Sequence, residues 1–280
     1  MSKDLPVKKI YIDSKFRRGD SVSSSNFKID LPETLKLPDN AIFYVDDVCI
    51  PHNWYTVEAG VNDKLYFRTQ FANGGIVADY VITLASKNYN GVQFAAEVQS
   101  KISAITGGAA TTCTYDAQTK QMSVNVANLD INFFTDAELK DSQYNIAWGG
   151  STYDPKNLSC GNDLLTNVFP NVVGSTLNPA KYYLNLQPVR NIYMRSPNIS
   201  SFSTIGCNGE SSIIKKIPVS SNNGDMIFNN ITSANDFLEC SKATWKSLEF
   251  HLVDVNSKYI NLHGANVSFS LILDKQIPDQ

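Results

Sequence analysis

The chain has 280 residues, 42% hydrophobic and 18% charged, with 13 tyrosines and 14 phenylalanines. This composition fits a packed globular protein with a sizeable core and excludes a disordered one. A formal net charge of -3 leaves no basic excess to neutralise a phosphate backbone, which argues against specific nucleic-acid binding.

The first residues, MSKDLPVKKIYIDSKF, include no apolar stretch of signal-peptide length, and no run of 18 apolar residues occurs. Synthesis without a secretion signal and no membrane span are therefore expected. NFKIDL sets Phe27, Ile29 and Leu31 on one side of a strand and Asn26, Lys28 and Asp30 on the other. Residues 41–50 put Ile42, Tyr44, Val48 and Ile50 on one face and Phe43, Val45 and Cys49 on the other. That pattern reads as a strand covered on both sides, ended by Pro51, which has no amide to donate.

The block 64–135 has a different texture. It holds a strand at YVITL (80–84), a helix over 91–105, and strands at 111–115 and 122–126 joined by a DAQTK turn. In the helix, Phe94, Val98, Ile102 and Ile105 form one apolar stripe. Asn88 or Asn90 can cap its start, and Gly107-Gly108 ends it. This block reads as a module inserted between β segments. Residues 136–185 are weakly periodic and rich in Gly, Asn and Pro, with a short helix conceivable at 162–168 and the remainder a long loop or weakly structured lobe. β texture returns at YYLNL, 182–186. LEFHL puts Leu248, Phe250 and Leu252 inside and Glu249 and His251 outside, and the turn-rich DVNSKY, 254–259, should join it to YINL as a hairpin. NVSFSLIL puts Val267, Phe269, Leu271 and Leu273 inside. Half-buried strands of this kind belong to antiparallel sheets with one wet face.

The chemistry-bearing residues point away from catalysis. Asp46 and Asp47 are adjacent in a strand, so they should face opposite ways and cannot aim at one substrate. They read as corner groups. The three histidines, His52, His251 and His263, show no HxH or HExxH spacing, and no metal site is expected. The five cysteines, Cys49, Cys113, Cys160, Cys207 and Cys240, include no CxxC and read as reduced thiols. GxSxG, GxxxxGK[ST] and GxGxxG are all missing, so neither enzyme activity nor a cofactor is expected.

Two stretches stand out as surface candidates. In GESSIIKKIPVS, 209–220, Ile213, Ile214, Ile217 and Pro218 surround Lys215 and Lys216. The stretch reads either as an edge strand protected by charge or as a subunit contact with a lysine aimed at a neighbour's carboxylate. In IPHNWYTV, 50–57, Trp54 and Tyr55 read either as stacking platforms for a sugar or as corner fillers between sheets, and spacing does not choose between the two.

Three blocks carry a resemblance. They are IYIDSKFRRGDSVSSSNFKIDLPETLKLPDNAIFYVDDVCIPHNWYTVE (10–58), RNIYMRSPNISSFSTIGCNGESSIIKKIPVS (190–220) and SKATWKSLEFHLVDVNSKYINLHGANVSFSLIL (241–273). In these blocks the chain resembles the penton, or minor capsid, proteins of Polinton/Maverick elements, adintoviruses and Mavirus-like virophages. The resemblance implies a mainly β fold, a single jelly-roll β-sandwich with an inserted α+β domain. Residues 1–62 and 186–280 would form the jelly roll, and 63–185 an outer domain. It further implies a homopentamer at the fivefold vertices of an icosahedral virion, with the major capsid protein as partner and a host-cell receptor as a further one. Ile213, Ile214, Lys215, Lys216, Ile217, Pro218, Trp54 and Tyr55 are the candidate subunit-interface residues. A receptor- or carbohydrate-binding β-sandwich module is the alternative reading.

Overall fold

The structure is a computed structural model and describes residues 8–71, 75–106, 110–134, 178–179, 183–199, 204–206, 209–230 and 236–275. In chain order its elements begin with β1 (Lys8–Asp13), β2 (Asn26–Lys36), β3 (Ala41–Pro51), β4 (Lys64–Gln70) and β5 (Ile76–Thr83). Helix α1 (Gly91–Ile105) follows, then β6 (Thr111–Asp116), β7 (Gln121–Val126), β8 (Asp130–Phe133) and β9 (Asn178–Pro179). The chain continues through β10 (Asn191–Arg195), β11 (Ile213–Pro218), β12 (Met226–Asn229), β13 (Leu238–Glu239), β14 (Thr244–Val253) and β15 (Ser268–Lys275). It divides into two compact units: Met1–Trp54 with Val189–Gln280, and Tyr55–Pro188.

The first unit is mainly β and consists of two antiparallel sheets. One has the strand order β1-β15-β3-β12, with β13 also pairing with β3; the other has the order β11-β10-β14-β2. Alternation along each strand sends one row of side chains between the sheets. Phe27, Leu248 and Phe250 from one sheet meet Phe43, Phe269 and Leu271 from the other, all at most 2% exposed. Aromatic rings lock the layers edge to face. Phe250 lies 4.9 Å from Phe269 at 81°, and Phe43 lies 5.5 Å from Trp245 at 85°. The expected inward rows at 248–252 and 267–273 are found as read.

Strand β3 departs from the expected double-faced burial. Its register against β15 shifts: Cys49 pairs with Ser268 but Asp46 pairs with Ser270, so Asp47 and Val48 together oppose Phe269. Asp47 takes a left-handed φ of 49°. This is a β-bulge, and it resets the alternation. Phe43 and Val45 point inward before it, and Val48 and Ile50 after it, while Ile42, Tyr44 and Cys49 are only partly buried. The strand is therefore covered on one face whose parity changes midway.

DVNSKY does turn the chain back. The Asp254 carboxylate accepts from the amides of Asn256 and Lys258, both at 2.8 Å, and Ser257 takes φ 63°. The returning YINL makes one bridge, Val253 to Tyr259, and no longer ladder.

The second unit contains the sheet β5-β4-β8, the sheet β6-β7-β9 and helix α1. Asn90 caps the helix: its side chain accepts from the Gln93 amide at 2.9 Å, and the Gln93 side chain accepts from the Asn90 amide at 3.1 Å. Phe94, Val98 and Ile102 are buried against a core that includes Leu65, Phe67, Val124 and Phe133. Ile105, the fourth residue of the expected stripe, is 36% exposed in the last turn. Gly107-Gly108 and the short helix expected at 162–168 lie outside the described residues. The strand expected at 182–186 is not formed over its described part. Residues 183–186 have no ladder; Leu184 is buried and its amide donates to Lys120 O at 2.7 Å.

Candidate functional site

Strand β11 is an edge of its sheet, and the structure divides the Ile213–Pro218 stretch. Lys215 pairs with Met194 while Ile213 pairs with Arg195, so Ile214 is the extra residue of a bulge. Beyond the bulge, Lys215 and Ile217 face the core and Lys216 and Pro218 face solvent. Ile214 is 5% exposed and Ile217 fully buried. Lys215 is 8% exposed, and its ammonium donates to the carbonyl of Val45 in β3 at 2.9 Å. Burial pulls its pKa below the ordinary 10.5, opposed by the fields of Asp236 and Asp46. Ile214, Lys215 and Ile217 thus act within the subunit. Ile213, Lys216 and Pro218 are what the stretch offers outward.

Trp54 takes the corner-filling one of its two readings. It is 4% exposed and stacks on His52 with ring centres 4.1 Å apart, and its carbonyl accepts from the Asn223 side chain at 2.8 Å. The His52 ring contacts Ser221 O through Nδ1 at 2.9 Å, and burial lowers its pKa below 6.5. Of the aromatic pair, Tyr55 alone keeps partial exposure.

The bulge at Asp47 also overturns the opposite-faces argument for Asp46 and Asp47. Both carboxylates converge on Lys9 of β1: Asp46 Oδ2 lies 3.4 Å from its ammonium, and Asp47 is in closer contact. Hydrogen bonding to Lys9 holds the Asp47 carboxyl below the ordinary carboxylate range. A general acid needs the opposite shift. The pair is a surface clasp tying β3 to the edge strand across β15, not a catalytic dyad.

A feature that the sequence reading did not single out lies on the other edge of the same sheet. In β12, Met226 is 40% and Phe228 71% exposed, with Ile227 buried between them. Phe237, 40% exposed, packs edge-on against Tyr44 at 5.0 Å. The only sign in the sequence is that MIFN is apolar on both faces of a very short strand. Because Lys215 of β11 reaches β3, the neighbour of β12, edges β11 and β12 lie on the same flank of the sandwich.

Among the described residues, no group of three or more His, Cys, Asp or Glu side chains is placed to hold a metal ion. Burial pushes the Cys113 and Cys240 thiols up to about 12 and raises Cys49 as well, opposite to a nucleophile's needs. His251 contacts Glu249 at 3.0 Å on the outer face of β14, a local surface pair. Among the described residues, no helix is long and apolar enough to cross a membrane.

No protein-family model matches the chain. No curated protein matches it in sequence. Among solved structures, the crystal structure of the mavirus penton protein is similar over 97% of this chain and 100% of its own, with a TM-score of 0.54 and 9% identity. The resemblance read from the three sequence blocks is met in the fold: this chain shares the architecture of the penton protein of mavirus over nearly its whole length.

Proposed function

We propose that the chain is a minor capsid protein, the penton of an icosahedral virion, and that its first unit is a jelly roll. The observation that carries this reading is the full-length likeness to a penton protein, which spans both units rather than the sandwich alone. Strand order supports the jelly roll. Successive strands β1, β2 and β3 alternate between the two sheets; β10 and β11 pair as a hairpin, and β12, β14 and β15 alternate again. Two Greek keys wound together give this order. The second unit interrupts the β3-to-β10 connection and is the inserted domain, carried on the outside of the shell.

Mechanism here means assembly. Five copies close a heterologous ring, each giving one surface to the next. The β11–β12 flank supplies one of these surfaces through Lys216, Pro218, Ile213, Met226 and Phe228. Exposed edge strands with apolar side chains are ready sites for association. Tyr55 is a further contact. The rim of the ring fits the major capsid protein, and the inserted domain faces a host-cell receptor. Such a protein is located in the virion, at the capsid vertex.

Light scattering and negative-stain imaging of the purified protein, alone and with the major capsid protein, test this. Fivefold rings or incorporation at vertices are expected. Lys216→Glu combined with Phe228→Lys should abolish rings while leaving the melting midpoint within a degree or two, roughly the effect of surface substitutions. A protein that stays monomeric alone and fails to join particles formed with the major capsid protein overturns the reading.

A further inference from the structure

We infer that the first unit carries a binding site for a small acidic sugar, a carboxylate on a hydroxyl-bearing ring, between the β1–β2 and β14–β15 connections. A pocket of about 300 Å³ opens there, lined by Arg17, Ser23, Ser24, Ser25, Tyr259 and Asn261 among others. That is the lower end of small-ligand pocket volumes, enough for one monosaccharide.

The cation in it is held in place but not neutralised. Arg17 Nη1 donates to Ser14 O at 2.9 Å and to Asn266 Oδ1 at 3.3 Å. Among the described residues no carboxylate pairs with Arg17, whereas the adjacent Arg18 is taken up by Asp20 at 3.0 Å and Asp30 at 3.3 Å. Its Nε and Nη2, the fork that binds both oxygens of a carboxylate, have no partner among the described residues. The surrounding hydroxyls are also fixed. Asn266 Oδ1 accepts from Ser14 Oγ at 3.2 Å and Ser24 Oγ at 3.5 Å, and Ser23 Oγ lies 3.0 Å from Ser25 Oγ while accepting the Ser25 and Asn26 amides. Ser24 and Ser25 are 6% and 3% exposed, so they form a floor and not a rim. Tyr259 stands at the edge, 49% exposed, its ring braced edge-on by His251 at 5.5 Å. One guanidinium fork, a hydroxyl floor and one aromatic face match the carboxylate, hydroxyls and C–H face of an acidic sugar. A bare phosphate would use the arginine alone. A nucleic-acid backbone would need several cations in a row, and the pocket holds one.

The test uses the full chain and does not depend on assembly. Saturation-transfer NMR and calorimetry are run with glucuronate and N-acetylneuraminate, with glucose and inorganic phosphate as controls. At least one acidic sugar should bind saturably in the millimolar range, about −4 kcal/mol, and at least about tenfold tighter than glucose or phosphate. Arg17→Gln should weaken binding about tenfold or more, the cost of losing a charge-assisted hydrogen bond. Tyr259→Ala, at an exposed position, should weaken it severalfold with an unchanged melting midpoint. The inference is overturned by no saturable binding of either acidic sugar, by equal binding of glucose, by phosphate binding as tightly, or by a Tyr259→Ala protein that binds as the wild type does.

Discussion

Replacing Lys215 by glutamate puts a carboxylate where an ammonium, 8% exposed, now donates at 2.9 Å to Val45 O. A carboxylate has no proton to offer that carbonyl. The fields of Asp236 and Asp46, which favour the ammonium, become repulsive. Leaving a buried charge uncompensated costs about 3–5 kcal/mol. At roughly 2–4 °C per kcal/mol for a domain of this size, the melting midpoint should fall by about 6–20 °C. Lys215→Met keeps the aliphatic stem and removes the charge with its desolvation cost, so it should stay within about 1.5 kcal/mol of wild type. The sign of the pH dependence follows from the depressed pKa. Between the folded value and the unfolded 10.5, the unfolded chain binds the extra proton. Wild-type stability therefore rises with pH through that window, and the Met variant lacks this contribution. Urea unfolding of both proteins at neutral and alkaline pH measures it as a difference, in which the other titrating groups cancel. A Lys215→Glu protein melting within about 2 °C of wild type would refute the placement of Lys215 inside the sandwich.

Trp54→Ala should cost about 3–5 kcal/mol in chemical denaturation, because the ring is 4% exposed and stacked on His52. Gly91→Ala should destabilise the second unit despite alanine's better helix propensity. A Cβ at Gly91 would stand 2.3 Å from the Tyr115 ring, and moving the ring costs about 1–3 kcal/mol by differential scanning calorimetry. Cys113 and Cys240, with thiols at about 12, should react with a disulfide reagent at pH 8 only on unfolding, and a fast stoichiometric reaction of either would contradict their burial.

What the sequence made legible is what depends on near neighbours. The inward rows Leu248–Phe250–Leu252 and Phe269–Leu271–Leu273 need only a period of two, and the Asn90 cap needs only Gln93 three residues on. What it concealed depends on partners distant in the chain. The bulge at Asp47 reverses the parity of β3, yet an aspartate with φ 49° leaves no periodic trace. That single residue is why Asp46 and Asp47 share Lys9 instead of diverging. The direction of Lys215 is likewise set by a second bulge, at Ile214, whose existence depends on the register with β10. Trp54 is buried by His52 and by the loop bearing Ser221 and Asn223, which lies 169 residues further along. The pocket at Arg17 joins two connections that no local pattern links.

A shared fold at 9% identity is what the energetics of a sandwich permit. The interior asks for apolar side chains at alternate positions, and volumes can be traded between neighbours at modest cost. Nothing in that requirement makes two chains keep the same exposed residues. The surface for the proposed ring must therefore be sought on this chain's own edges, and these are unequal. The β1 edge carries ion pairs beside its exposed Tyr11: Lys8 pairs with Glu33 at 2.6 Å, and Lys9 holds Asp46 and Asp47. On the opposite flank, Lys216 of β11 faces outward from one sheet, and exposed Met226 and Phe228 of β12 face outward from the other. A charge on one strand of a flank discourages indiscriminate edge-to-edge pairing, while an apolar neighbour strand invites contact. A ring that closes after a fixed number of copies needs both properties at once, since an edge open to any register would run on into a fibre.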